Sequence, residues 1–393
     1  MDFDVVVVGA GPMGGYAADV ISSAGWRVAL IEEHRKIGVP VQCAGLVTPR
    51  VFEIVDKRLT VVNSLRGAEI YSPKGRELIV DGRETKAVVL DRAAFDSEIA
   101  RDALLHGATS FLGSTFVNAK KTDRGLELDV QTPDRMVKVN CRILIGADGI
   151  RSNVSKRFGL PKAESIVKGF EAELVEVDCD RRFAKIFTGN DVAPGFFAWI
   201  IPTGEGGARV GLCVARGSAY QYFNALFEKG ESARFLKKSR TVSFVAGAIP
   251  FGLLSRTVED HAMIVGDAAC QAKASTGGGI YTGLVASKIC ADIAILALEA
   301  DDFSKKFLSR YHRNWKKAIG KELKRGLHLH RFCRDLTDKQ MEEIFKLLDN
   351  DEILEMVSET GDITFPSNIG WHLLRKEPKF MKFLTPSLKA LFK

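Results

Sequence analysis

Three glycines near the start of the chain have the spacing of a nucleotide-binding turn. Gly9, Gly11 and Gly14 form the pattern G-x-G-x-x-G directly after the β-branched run 5–8. The first glycine permits a tight turn, the second lets the backbone approach a pyrophosphate, and the third lets helix and strand pack closely. The N-terminus of the following helix points free N–H groups at the anion.

A carboxylate lies where such a site needs one. Glu32 follows the turn by about 20 residues, and it can accept hydrogen bonds from both hydroxyls of a ribose. Its charge disfavours a 2′-phosphate. The turn and Glu32 together predict binding of an adenosine diphosphate group, as in FAD or NAD.

The turn requires a strand before it and a helix after it, and the sequence predicts both. Residues 4–8 form the strand, the helix continues to about Ala24, and a second apolar run, 26–31, ends at Glu32. This is a βαβ unit with parallel strands. Alternation and turn residues predict the later elements: antiparallel strands within 61–90, a helix at about 92–106, strands at 109–117, 125–131, 136–146 and 263–265, a strand-rich segment 168–250, a helix from about 277, and a helical, charged region from 302.

Length and composition exclude several classes of protein. With 393 residues, 46% hydrophobic and 27% charged, the chain is too apolar for a disordered protein and long enough for two or three subdomains. No uncharged stretch reaches the ~18 residues of a membrane-spanning helix, and the acidic N-terminus is unlike a signal peptide. Seven cysteines without a C-x-x-C pair, and histidines without ligand spacing, predict reduced thiols and no metal site. We expect a cytoplasmic protein.

Three later segments extend the glycine turn into a longer series. Arg92 within L-D-R-A-A-F-D, Asp148-Gly149 and Gly266-Asp267 follow residues 9–32 in order. Together the four motifs resemble the signatures of FAD oxidoreductases of the p-hydroxybenzoate hydroxylase type. The resemblance implies an α/β (α+β) fold in three parts: a discontinuous Rossmann-type FAD-binding domain (1–60, 90–165 and 255–300), an antiparallel β-sheet substrate domain (61–89 and 166–254) and a C-terminal helical region (301–393).

Three further segments are similar to the geranylgeranyl reductase family within that superfamily. They are P-V-Q-C-A-G at 40–45, S-T-G-G-G-I at 275–280, and F-x-W-x-x-P-x-G at 197–204. Phe197 replaces the family's tyrosine, Ile201 replaces a phenylalanine, and the cysteine loop reads C-A-G-L rather than C-G-E-G. The resemblance implies an FAD-dependent reductase that saturates double bonds of geranylgeranyl chains in archaeal-type membrane lipids, with reduced ferredoxin or NAD(P)H as electron donor.

Two other functions stay open. An aromatic-ring monooxygenase of the same superfamily would use NAD(P)H and oxygen, although the apolar segment 197–202 argues mildly against its compact polar pocket. A flavin-bearing electron carrier would have no substrate of its own.

The resemblance assigns roles to residues. Asp267 would bind the ribityl or pyrophosphate part of FAD, Arg92 the pyrophosphate and Val117 the adenine, and residues 278–280 would lie at the flavin ring. The expected cofactor-binding residues are Gly9, Gly11, Met13, Gly14, Glu32, Cys43, Ala44, Gly45, Arg92, Val117, Asp148, Gly149, Gly266, Asp267, Gly278, Gly279 and Ile280.

Each assignment has a structural alternative. Gly266-Asp267 could be a helix cap, 277–279 a close helix crossing, and Asp148-Gly149 a turn after a buried strand. Cys43 could be a small buried side chain, or a proton donor or steric gate at the flavin.

The aromatic segment also has two interpretations. Phe197, Trp199 and Pro202 could be ordinary β-domain core, or they could line a pocket for a long apolar chain.

The basic charge is concentrated in one segment. From 304 to 334 there are eleven Lys or Arg and one acid, followed by ten acids and two lysines over 335–362. This pattern is typical of a solvated helix face. With Phe307, Tyr311 and Trp315, it also suits a helix on the inner face of the cell membrane. The basic, aromatic tail 371–393 repeats this composition. No nucleic-acid-binding module accompanies the charge, so we expect no nucleic acid partner.

Overall fold

The computed structural model describes residues 1–204, 206–367, 372–373, 376–377 and 379–380. Of the four aromatic residues in the basic tail 371–393, Phe380 is described and is buried. Trp371, Phe383 and Phe392 lie outside the described residues.

The strands of the described chain belong to four sheets. In chain order they are β1 (Val5–Val8), β2 (Val28–Glu32), β3 (Leu46–Val47), β4 (Val61–Leu65), β5 (Gly67–Tyr71), β6 (Glu77–Asp81), β7 (Ala87–Leu90), β8 (Thr109–Leu112), β9 (Thr115–Thr122), β10 (Gly125–Gln131), β11 (Met136–Cys141), β12 (Ile143–Gly146), β13 (Ser165–Val175), β14 (Phe183–Phe187), β15 (Ala198–Pro202), β16 (Gly207–Val214), β17 (Arg240–Phe251), β18 (Val258–Glu259) and β19 (Ala262–Ile264).

Helices occur throughout the described chain, and the two longest lie in its C-terminal third. They are α1 (Pro12–Ser23), α2 (Arg92–Leu105), α3 (Asn153–Arg157), α4 (Ala219–Glu228), α5 (Gly230–Leu236), α6 (Ile280–Ala300), α7 (Lys305–Arg334), α8 (Asp338–Leu348) and α9 (Asp351–Thr360).

The first sheet contains the predicted βαβ unit. Its order is β18-β19-β12-β1-β2-β8, and β1 pairs in parallel with both β2 and β12. All four valines of β1 are buried, because helices cover one face of this sheet and the small sheet β11-β10-β9 covers the other. A continuous β-branched run is the sequence pattern of a strand buried on both faces. The mixed α/β fold with a parallel sheet, antiparallel sheets and C-terminal helices is confirmed.

The seven-stranded sheet forms the second layer. Its order is β17-β13-β16-β15-β14-β5-β6, antiparallel except for the parallel pair β14 and β5. One face packs against α4 and α5 through Phe170, Ala172 and Ile200. The predicted strand-rich segment thus contains two helices that strand alternation did not indicate.

Two predicted strands are wrong in extent. The expected strand 109–117 is two strands, β8 in the parallel sheet and β9 in the three-stranded sheet, with a turn at Gly113. The expected strand 136–146 likewise divides into β11 and β12. In both cases one predicted strand passes between two sheets, and periodicity alone does not show where the chain bends.

Helices α6 and α7 complete the core behind the parallel sheet. By length and composition α6 could cross a membrane, and 61% of its most apolar window is buried inside the protein. It packs between α1 and α7.

Helix α7 buries the aromatic residues that a membrane-surface helix would expose. Tyr311 and Trp315 are fully buried, and the Nε1–H of Trp315 donates to the hydroxyl of Thr257 at 3.1 Å. The expectation that these side chains contact a membrane is therefore wrong. The exposed face of α7 instead carries a row of cations, which we call the basic stripe: Lys306, Arg310, Arg313, Lys317, Lys321 and Lys324.

The buried face of α7 gives a stability prediction. Replacing Trp315→Ala removes a large core side chain and leaves Thr257 without its donor, so we expect the free energy of unfolding to fall by about 3–5 kcal/mol. Urea denaturation followed by circular dichroism measures this. The control Lys317→Ala, on the exposed face of the same helix, is expected to stay within about 0.5 kcal/mol of the unsubstituted protein. Equal, small effects would show that α7 does not pack as described.

Candidate active site

The glycine turn has the geometry that its spacing predicts. Gly9 has a φ of +98°, and a Cβ there would overlap the backbone oxygen of Ala147. A Cβ at Gly14 would overlap the backbone oxygen of Gly9, so helix α1 approaches β1 more closely than any side chain allows. A Cβ at Gly11, by contrast, would have no protein atom within 4 Å. The turn thus has no space for a side chain at Gly9 and Gly14, whereas at Gly11 it is open to a ligand.

Glu32 lies beside this turn at the end of β2. Its Oε2 accepts the backbone N–H of Ala10 at 2.8 Å, and its Oε1 accepts the backbone N–H of His34 at 3.0 Å. The ring Nδ1 of His34 lies 2.6 Å from the same Oε1. The carboxylate is therefore held in place beside the turn, and its contact with a ribose stays a prediction.

Asp148 and Gly149 follow β12 at the same edge of the sheet. One carboxylate oxygen of Asp148 accepts the backbone N–H of Val154 at 3.1 Å. The other is buried without a hydrogen-bond partner among the described residues, and burial raises the pKa of this carboxyl. This geometry matches the turn interpretation, and direct contact with a cofactor stays a prediction.

Met13 and Val117 differ in their surroundings. Met13 packs against α6, where a Cβ at Gly283 would overlap its side chain, and its backbone oxygen accepts the Ser287 hydroxyl at 2.6 Å. Val117 is half-exposed on β9.

Arg92 lies next to two other predicted site residues. It is the first residue of α2 and forms a bidentate, largely buried pair with Asp96, at 2.9 and 3.1 Å. Its side chain also lies beside Cys43, and its charge acts on Asp267. The structure thus brings together three segments that are far apart in the chain.

Asp267 combines a raised pKa with a side chain that no described residue hydrogen-bonds. Burial raises the pKa of its carboxyl to about 6, against the opposing charge of Arg92. The side chain makes no hydrogen bond with the described residues, so it caps no helix there. One of its oxygens lies 3.7 Å from where a Cβ of Gly279 would be. A half-buried carboxylate without donors suits a ligand rich in hydroxyl groups, such as the ribityl chain of FAD.

Two loops meet here, one containing Cys43 (residues 40–45) and one containing three consecutive glycines (residues 277–279). We call them the cysteine loop and the three-glycine loop. Cys43 packs against an apolar cluster that contains Tyr16 and Ile280, the first residue of α6. Gly277 has a φ of +74°, and a Cβ there would lie 3.1 Å from Ile249 and 3.6 Å from Phe196. This loop is therefore tight against the seven-stranded sheet rather than at a helix crossing. The residues present fit an FAD: an open glycine turn, a partnerless Asp267 and two loops that converge on one face of the sheet.

The aromatic segment divides between the two faces of β15. Phe197 and Trp199 are partly exposed, with ring centroids 6.1 Å apart. Ile200 points to the opposite face and is buried under α4 and α5, and Pro202 is buried at the end of the strand. Phe197 and Trp199 therefore remain pocket candidates, whereas Ile200 is ordinary core.

Arg209 on β16 is a site residue that the sequence analysis missed. Its Nη1 donates to the backbone oxygens of Ala44, at 2.9 Å, and Leu90, at 2.8 Å, while its Nε pairs with Glu173 at 3.0 Å. A Cβ at Gly45 would overlap this guanidinium. Arg209 thus fixes the cysteine loop to the sheet. The feature of the sequence that could have identified Arg209 is its position as a single cation in the otherwise apolar strand G-A-R-V-G-L-C-V.

Lys273 was missed as well. Its Nζ lies within 4 Å of where a Cβ of Gly278 would be, and it donates to the backbone oxygens of Ile363, at 2.6 Å, and Thr364, at 3.3 Å. Burial lowers its pKa to about 8. The segment 362–367 is thereby held over the three-glycine loop.

No group of three or more metal-ligating side chains occurs among the described residues.

Comparisons with known proteins identify the family and the fold. Residues 2–316 match the model of a family described as an FAD binding domain. The chain is 31% identical to digeranylgeranylglycerophospholipid reductase 2 of Methanopyrus kandleri, covering 99% of this chain and 100% of that protein. It is 30% identical to an uncharacterized protein of Methanocaldococcus jannaschii, over 95% of each. A geranylgeranyl bacteriochlorophyll reductase-like structure from Thermoplasma acidophilum superposes with a TM-score of 0.89 at 25% identity, covering 99% of both chains.

Gly11, which has space for a Cβ, and Gly14, which has none, provide a matched test of the nucleotide site. Gly11 has ordinary extended backbone angles (φ −66°, ψ 179°) and open space at its Cβ, so Gly11→Ala is expected to leave the free energy of unfolding nearly unchanged. The added methyl would occupy the approach of the pyrophosphate, and we expect the Kd for FAD to rise at least about tenfold, or about 1.4 kcal/mol. Fluorescence titration of the apoprotein with FAD measures this.

Gly14→Ala is the paired variant. It forces a methyl into the Gly9 backbone, so we expect it to destabilise the fold by about 3 kcal/mol or more. Unaltered FAD affinity in Gly11→Ala would mean that the pyrophosphate does not lie at this turn.

Proposed function

We propose that this chain, which belongs to the FAD-binding domain family, saturates carbon–carbon double bonds of geranylgeranyl chains in isoprenoid membrane lipids. The observation that carries the proposal is its full-length relationship, at about 30% identity, to proteins named digeranylgeranylglycerophospholipid reductase. The likeness in fold to the Thermoplasma acidophilum structure supports it.

In this proposal the chain's own residues bind and orient the cofactor. The open turn at Gly11 and the N-terminus of α1 hold the pyrophosphate, and the cation of Arg92 neutralises part of its charge. Asp267 would accept hydrogen bonds from hydroxyl groups of the ribityl chain. When bound and reduced, FAD supplies the hydride for the reaction.

The sheet face provides an apolar slot for the substrate chain. Trp199 packs between two apolar clusters, one containing Ala272 and Ala274 and the other bordered by Ala44. An isolated alkene is a poor hydride acceptor, so it must be held close to the donor with water excluded. Phe197 and Trp199 would serve this purpose.

The reaction also needs an external source of electrons. We propose reduced ferredoxin or NAD(P)H, and a chemical reductant can replace either in the test.

The decisive experiment is anaerobic. We expect that the chemically reduced holoprotein, mixed with digeranylgeranyl phospholipid, will reoxidise while the lipid gains hydrogen pairs in steps. Flavin absorbance and lipid mass spectrometry follow the two changes, and a lipid that is already saturated serves as the control. If the flavin stays reduced until oxygen or a phenol is admitted, the aromatic monooxygenase replaces this proposal.

A lipid substrate also requires contact with a bilayer, and we propose that the basic stripe on α7 provides it. All six of its residues are exposed cations, and Tyr311 and Trp315 of this helix are in the core. Attachment would thus be electrostatic, at about 1 kcal/mol for each cation near an anionic surface. The protein would then be cytoplasmic and lie on the inner face of the membrane.

Charge reversal tests the basic stripe. The double variant Lys317→Glu/Lys321→Glu is expected to weaken binding to anionic vesicles by at least about 2 kcal/mol, as measured by cosedimentation at low salt. The matched control is Arg58→Glu/Arg101→Glu, at or near α2, which α1 and α6 separate from α7. Equal loss in both variants would indicate a nonspecific charge effect and would reject the basic stripe as the docking surface.

A further inference from the structure

One buried carboxyl on the candidate substrate face has no role in the mechanism so far. Glu171 lies in the middle of β13 and is only 8% exposed. Its Oε2 accepts the Nε1–H of Trp199 at 2.9 Å. Its Oε1 has no hydrogen-bond partner within the described part of the chain. Glu171 therefore has one oxygen fixed by the aromatic wall and one oxygen available.

Strand alternation places this carboxyl on the same face as the pocket candidates. Phe170 and Ala172, its neighbours in sequence, pack under α4 and α5 on the other face. Directly across from Glu171 on β16 is Gly211, where a Cβ would lie 2.7 Å from the Trp199 ring. The indole thus lies over Gly211, and the absence of a side chain there leaves room for its N–H to reach Glu171.

The face with Glu171 is turned toward the cofactor loops. Arg209, two residues from Gly211 on the same face, holds the backbone of Ala44. Trp199 packs against the cluster that contains Ala272 and Ala274, just before the three-glycine loop. Glu171 therefore lies in the wall opposite the two loops that converge at the candidate flavin ring.

The charges around Glu171 define its protonation. Burial raises the pKa of its carboxyl to about 7; the hydrogen bond from Trp199 and the cations Arg209 and Arg92 oppose this shift, and the charge of Glu173 adds to it. Glu171 in turn acts on Cys213 of β16, a buried thiol whose pKa is raised first by burial and then by the charge of Glu171. A carboxyl with this environment can hold a proton near neutral pH and release it, as general acids do.

We propose that Glu171 is the proton donor for saturation of the alkene, an inference that rests on the proposed function. The hydride from the reduced cofactor forms a C–H bond at one alkene carbon, and the proton of the Glu171 carboxyl forms a C–H bond at the other as the π bond breaks. The cofactor is oxidised by two electrons, the alkene is reduced by two, and Glu171 becomes a carboxylate. Water reprotonates it between turnovers.

The test compares the unsubstituted holoprotein with three variants in single turnovers with digeranylgeranyl phospholipid after anaerobic reduction. Glu171→Gln keeps an oxygen for the Trp199 N–H but cannot donate an acidic proton, so we expect the rate of flavin reoxidation to fall about 100- to 10,000-fold. Cys43→Ser removes the thiol of the other candidate donor, and this variant is expected to retain the pH profile of the unsubstituted protein. Glu176→Gln, at an exposed carboxylate just beyond β13 that pairs with Arg240, is the control.

Two further readouts separate a proton donor from a structural residue. In the unsubstituted protein the rate should fall as the pH rises through about 7, because the Glu171 carboxyl loses its proton to solvent and can no longer donate it. This dependence should vanish in Glu171→Gln while lipid affinity and FAD content stay unchanged. Infrared spectroscopy of the holoprotein should show a protonated carboxyl that titrates in the same range and is absent from Glu171→Gln.

The outcomes are distinguishable. If the unsubstituted protein leaves the lipid unchanged, the proposed function fails and this inference fails with it. If the unsubstituted protein reduces the lipid and Glu171→Gln does so at the same rate and with the same pH profile, only the role of Glu171 is overturned. Loss of the pH dependence in Cys43→Ser instead would assign the proton to the thiol.

Discussion

The parallel pairing of β12, β1 and β2 is the constraint on which the site depends. Because parallel strands end at the same edge of a sheet, the segments that follow them meet there. The glycine turn follows β1, Glu32 ends β2, and Ala147 follows β12. The overlap that a Cβ at Gly9 would make with Ala147 shows how closely these segments approach. A nucleotide site at this edge therefore results from strand direction and from two positions that tolerate no side chain.

A second layer of organisation joins this edge to the seven-stranded sheet. The cysteine loop belongs to the parallel half of the molecule, yet its backbone is held by Arg209 from β16. A buried cation is costly unless it is paired and hydrogen-bonded, and Arg209 has Glu173 and two backbone oxygens for this purpose. The same face carries Trp199 and Glu171, which are linked by a hydrogen bond. The hydrogen bond from Arg209 to Ala44 thus sets the separation between the loop with Cys43 and the sheet face with Glu171.

Local patterns in the sequence were sufficient to predict the βαβ unit that positions the glycine turn and Glu32, since the glycine spacing, the valine run and the position of Glu32 all lie within it. Glu171, Arg209 and Lys273 could not be found in this way, because their partners are brought to them by sheet pairing and loop packing over long sequence separations. Helix α7 is an intermediate case. Its charge count favoured a solvated helix, while the spacing of Leu308, Tyr311, Trp315 and Ile319 already contained the pattern of a buried face.

The contact between Lys273 and segment 362–367 has a consequence for the order in which the protein is made. Synthesis proceeds from the N-terminus, and the parallel sheet is complete once β19 has been made. The three-glycine loop, however, receives its cover only when Ile363 and Thr364 leave the ribosome, about 90 residues after Lys273. Until then the ammonium of Lys273 lacks the two carbonyl oxygens that satisfy it in the folded protein. The nascent chain thus has its glycine turn long before the loop 277–279 is enclosed, and the covering of this loop is a late step in folding.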